Sequence, residues 1–94
     1  MLFALICTDK PGKLQVRVDT RPEHLTFLQG LNDEKKLAFA GPFLDADGNA
    51  NGSMVVLEAP DMEAASALAA ADPYAKADLF ASVEIRQSAP SENP

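Results

Sequence analysis

At 94 residues the chain has the length of one domain, and its 47% hydrophobic and 23% charged content is that of a soluble globular protein. Eight basic against fourteen acidic residues give a net charge of −6, which argues against the clustered basic surface that nucleic acid or an anionic membrane requires. The single cysteine excludes an internal disulfide, and no run approaches the roughly 20 apolar residues of a membrane-spanning helix.

Leu2 to Cys7 (LFALIC) is an unbroken apolar run closed by TDKPGK, the pattern of a strand and a loop. Cys7 reads there as a small buried hydrophobe in a reducing compartment. No basic segment precedes the run, so it does not read as a secretory leader, and the expected location is cytoplasmic. Thr20 then opens a helix. In T-R-P-E the hydroxyl caps the first turn, Glu23 reaches back, and Pro22 sits where a missing N–H is harmless. Leu25, Leu28 and Leu31 follow at helical spacing, and NDEKK ends the element.

Leu37 to Pro42 (LAFAGP) predicts a second strand, FLDADGNANG a polar connection, and Ser53 to Ala59 (SMVVLEA) a third strand. Asp61 is placed to cap a second helix, MEAASALAAA, whose alanines favour helix, and Pro73 ends it. Leu79 to Gln87 (LFASVEIRQ) alternates as a fourth strand. Residues 1–87 are thus expected to form the folded domain and residues 88–94 (SAPSENP) a polar, disordered tail.

The order βαββαβ is that of the ferredoxin-like α+β fold, a four-stranded antiparallel sheet with two helices on one face. The first strand is apolar on both sides, and Val55–Val56–Leu57 is similar. Two helices cover one side only, while an antiparallel sheet ordinarily leaves the other side polar. A second copy of the chain, packed sheet against sheet, is the economical cover, so a homodimer is expected.

His24, the only histidine, shares the helical stripe of Leu28 and Leu31 and so faces the sheet. A lone histidine in that place is commonly a satisfied core residue. Against this, a helix N-terminus disfavours imidazolium and keeps the ring neutral, as a general base requires, and a buried neutral ring still needs an acceptor. Asp72 in AADPY is one candidate acceptor, although a carboxylate before proline serves equally well to cap a short turn. Arg17 and Arg21 flank the expected helix entry, as an anion site or as a solvated rim. Tyr74, the only phenol, either orients a ligand or closes a core edge. The loop DADGNANG fails as a calcium loop, because Ala50 stands where glycine is required. No Cys/His cluster suits zinc, and no phosphate-binding or dinucleotide fingerprint is present, so neither metal nor cofactor is expected.

Taken in order, R-x-x-x-R-P-x-H-L (Arg17 to Leu25), Gly41-Pro42, Gly52-Ser53 and Asp72-Pro73-Tyr74 resemble the YCII-related (YciI-like) family over residues 1–87. The resemblance implies a domain of the dimeric α/β-barrel superfamily, with two sheets facing across the dimer. It further implies a site that pairs His24 with Asp72. Most members of that family have no assigned reaction, and one related enzyme type removes chloride from a chlorinated hydroxyhydroquinone. This chain departs from the family pattern after the fourth strand, where it reads Arg86-Gln87-Ser88. The expected function is a cofactor-independent lyase or isomerase acting on a small aromatic or carbonyl compound. In it His24 moves a proton, Asp72 orients His24, and Arg17, Arg21, Ser53 and Tyr74 contact the substrate. A non-catalytic dimeric module that binds a metabolite is the alternative, and haem binding, which occurs elsewhere in the superfamily, is a third.

Overall fold

A computed structural model describes residues 1–89. The elements are β1 (Leu2–Asp9), α1 (Leu14–Asp33), β2 (Leu37–Leu44), β3 (Ala50–Glu58), α2 (Met62–Ala71), α3 (Pro73–Lys76) and β4 (Phe80–Ser88). All strand pairs are antiparallel and the sheet order is β2-β3-β1-β4. With the helices on one face, this is the ferredoxin-like α+β arrangement that the element order predicts, with the short α3 added.

Facing residues in the register share a side of the sheet, so the two faces can be read from the pairs. Phe3 faces Leu57, Leu5 faces Val55 and Cys7 faces Ser53. Phe3, Leu5, Cys7, Val55 and Leu57 form the buried core with Ala65 of α2, and Leu28 of α1 packs against them. On the opposite side Ala4 faces Val56 and Ile6 faces Met54. Phe39 joins that face beside Val56, and Phe43 joins it beside Gly52. Across β1, β2 and β3 this outer face is apolar, with Phe39 51% exposed and Phe43 37% exposed, and β4 adds Glu84 beside Ile6 and Arg86 beside Ala4.

The first helix corrects the expected start. It begins at Leu14 and is capped by Lys13, which makes no side-chain cap bond, so Thr20 is no cap and no capping box forms. The turn at K-P-G-K sets the start instead, with Gly12 at φ 74°, a conformation open to glycine. Pro22 therefore lies inside the helix, where it forgoes one backbone bond. His24 sits several turns from Lys13, beyond the first turn within which a helix N-terminus exerts its field. The N-terminal field expected at the imidazole therefore does not act there.

The long polar connection shrinks to a hairpin tip. Asp45 Oδ1 accepts from the backbone N–H of Asp47 and of Asn49, both at 2.9 Å, and Gly48 turns the chain at φ 84°. Asp61 caps α2 as expected, accepting from Ala64 N–H at 2.8 Å. Ser88 pairs with Leu2 and so belongs to β4 rather than to the tail. Ala89 follows outside any helix or strand, and residues 90–94 of the expected tail lie outside the described residues.

Candidate active site

Asp72 stands between α2 and α3 in an extended conformation (φ −60°, ψ 129°), as a residue before proline prefers. Its Oδ1 accepts the Tyr74 backbone N–H at 2.9 Å and so starts α3. The same oxygen lies 2.8 Å from His24 Nδ1. Both roles considered for Asp72, cap and acceptor, are thus present at once. A carboxylate oxygen accepts, so the bond places the ring proton on Nδ1. Nε2 has no partner among the described residues. No buried nitrogen or oxygen there lacks one, so Nε2 opens onto accessible space.

Both partners are buried, His24 at 7% and Asp72 at 6% exposure. Tyr74 packs flat on the imidazole, with ring centroids 3.9 Å apart and planes 18° from parallel. The Arg17 guanidinium carbon sits over the Tyr74 ring, 4.6 Å from its centroid, a cation–π contact. Burial pushes the Tyr74 phenol up from its ordinary value, and Arg17 opposes that rise.

Arg17 is neither a solvated rim nor a flank of the helix entry. It is buried within α1, donating from Nε and Nη2 to the two carboxylate oxygens of Asp9 at 2.7 and 2.8 Å. Nη2 also donates to Ser53 Oγ at 3.0 Å. Burial pulls the guanidinium down, but Asp9 outweighs it and keeps Arg17 charged. Asp9, at the end of β1, is the site residue that sequence reasoning misses. A buried arginine demands a carboxylate, yet nothing in TDKPGK marks which one supplies it.

Arg21 is exposed, forms no ion pair among the described residues, and lies on the wall of a cavity of about 320 Å³ between α1 and β2. Arg17, His24 and Ser53 share that wall with apolar residues from Leu14 to Leu28 of α1 and with Ala40–Pro42 of β2. Tyr74 is not part of the lining; it stands behind His24. Of the six expected site residues, then, four line the cavity, and Asp72 and Tyr74 support His24 from behind. Among the described residues no group of three or more His, Cys, Asp or Glu stands ready to hold a metal ion, and no helix is long and apolar enough to cross a membrane.

This arrangement sits in a chain whose residues 1–89 match the YCII-related domain. The chain belongs to the YCII-related family. Protein YciI of Escherichia coli O6:H1 is 39% identical over 92 residues, covering 92% of this chain and 94% of that protein. An uncharacterized protein of Haemophilus influenzae is 32% identical over the same length and coverage. Among solved structures, 5-chloro-2-hydroxyhydroquinone dehydrochlorinase (TftG) of Burkholderia phenoliruptrix AC1100, in complex with 2,5-dihydroxybenzoquinone, superposes with a TM-score of 0.90 at 33% identity. That match covers 99% of this chain and 98% of TftG.

Proposed function

We propose that this YCII-related protein is a small-molecule enzyme of the lyase or isomerase type that uses His24 as its general base. The observation that carries the reading is the 2.8 Å His24–Asp72 bond on the wall of an open cavity. With Nδ1 held by Asp72, Nε2 is the nitrogen left to take a proton from a carbon or hydroxyl of a compound seated there. Asp72 then stabilises the imidazolium that forms, the orienting role of an aspartate behind a catalytic histidine. In an isomerisation the same nitrogen returns the proton to another atom of the substrate. In an elimination the halide leaves as an anion and His24 passes its proton to solvent. TftG, a dehydrochlorinase of the same fold at 33% identity, gives coarse support for small-molecule chemistry here. We further place the protein in the cytoplasm as a homodimer joined through the outer sheet face.

The test is turnover of 5-chloro-2-hydroxyhydroquinone and related phenols, read as chloride release, by the wild type, His24→Asn and Asp72→Asn. Each substitution is expected to lower kcat by about 10²–10⁴-fold, the usual contribution of general acid–base assistance. Melting temperatures are expected to hold, because asparagine at 72 retains an oxygen to cap α3. Wild-type turnover by His24→Asn overturns the reading, as does a loss of fold that accounts for the loss of activity.

A further inference from the structure

The chain carries fourteen acidic residues against eight basic ones, yet no Asp or Glu lines the cavity between α1 and β2. Its polar groups are two arginines, one histidine and one serine. Arg17 is already matched, since Asp9 grips it through two oxygens and Ser53 accepts a third bond. Among the described residues Arg21 is not matched, since no ion pair includes it. On an α-helix its neighbours are the residues three and four positions away, which are Val18, Arg17, His24 and Leu25, and none is acidic. Among the described residues one uncompensated positive charge therefore stands on the wall of a mostly apolar hollow, on a protein that is negative overall.

We propose that the cavity selects a small anionic ring compound, a carboxylate, phenolate or enolate, whose charged oxygen is received by Arg21. The inference rests on the reading of His24 as the reactive group and adds the class of substrate that reaches it. Arg21 and His24 are three residues apart on one stripe of α1, so a ligand held at its oxygen by Arg21 presents a nearby atom to His24 Nε2. A volume of about 320 Å³ lies at the small end for ligand cavities, which suits one substituted six-membered ring and is too small for a nucleotide. Ser53 adds a second donor, because its oxygen accepts from Arg17 and its own proton remains to give. The charge of Arg21 also reaches Tyr74, where it works against the burial that raises the phenol. Arg21 is exposed, so water still solvates its guanidinium when a neutral analogue binds, and the preference for an anion comes from the charge-assisted bond that the acid alone makes.

Calorimetric titration of the intact protein with two matched pairs, benzoate against benzamide and salicylate against salicylamide, tests the proposal. The acids are expected to bind at least 10-fold more tightly than the amides. Arg21→Gln is expected to weaken the acids by about 10–100-fold, the range of a hydrogen bond to a charged group, and to leave the amides unchanged. Arg21→Lys is expected to recover part of the preference, and added salt to erode it. Acids and amides that bind alike, or not at all, overturn the proposal, as does Arg21→Gln binding the acids at wild-type strength. His24→Asn, titrated in parallel, separates the two readings. It should keep the acid preference while losing turnover, so a failed titration condemns the charge selection and a failed turnover assay condemns the base.

Discussion

Cys7 lies on the inner face of β1, opposite Ser53 and among the core residues. Burial, with a smaller push from Asp72, raises its thiol from an ordinary 9.0 to about 12. Below pH 9 both folded and unfolded chains hold this proton and the stabilisation is fully present. Between about 9 and 12 the unfolded chain loses the proton while the folded one keeps it, so stability falls as pH rises. Tyr74, also raised by burial, acts with the same sign. Urea denaturation of the wild type and Cys7→Ala across pH 8–11 should therefore show two falling curves, the variant's the shallower. Parallel curves would show that the thiol ionises as readily folded as unfolded. A neutral Cys7 beside the Arg17–Asp9–Ser53 cluster is a spectator to any chemistry at His24.

Helix α1 supplies most of the cavity's polar groups, and its start is the element least legible in the sequence. Two local signals compete there. T-R-P-E carries the full signature of a capped beginning, whereas Leu14 to Asp19 alternates apolar and polar residues like a strand. Tertiary packing settles the matter, because the helix begun at Leu14 carries Arg17 to Asp9 and Ser53. Pro22 is the residue left in conflict. Restoring a backbone N–H with Pro22→Ala is expected to stabilise the protein by roughly 1–2 kcal/mol, the cost of an interior proline reduced by the unfolded-state freedom that alanine regains. An upward shift of the urea midpoint at unchanged m-value checks this. A downward shift would mean that the turn carrying His24 depends on the proline's shape. By contrast, α2 was readable to the residue, since Asp61 and Pro73 punctuate an alanine-rich run without rivals. From the residues the His24–Asp72 bond was legible only as one of two roles open to Asp72, and the motif resemblance pointed to the pairing. Asp9–Arg17 was not legible at all, because it joins a strand end to a helix across a turn that carries no periodic pattern.

The whole molecule has one layer fewer than its sheet requires. The helices pack on the inner face, while on the outer face Leu2, Ala4, Ile6, Met54, Val56, Phe39 and Phe43 make an apolar patch across β1, β2 and β3, with Glu84 and Arg86 of β4 at its edge. That double-sided apolar pattern was visible in the sequence, which is why a second copy was expected. A second sheet packed on it would bury on the order of 800 Å² per partner, the scale of a stable interface. Val56→Lys puts a charge at the middle of that face without touching the cavity. Light scattering coupled to size exclusion should find a dimer for the wild type and a monomer for the variant. Two monomers, or two dimers, would show that the outer face is not where copies meet.

Tyr74 is the only tyrosine and the chain has no tryptophan. Its ring stacks on the His24 imidazole and meets the Arg17 guanidinium, one residue beyond the proline that follows Asp72. With excitation at wavelengths where phenylalanine does not absorb, the protein's ultraviolet emission therefore comes from the one ring pressed against the His24 imidazole. Any ligand, proton or neighbouring side chain that disturbs His24 writes itself directly into the intrinsic fluorescence, so the molecule carries its own optical probe of the site and needs no dye to be watched at work.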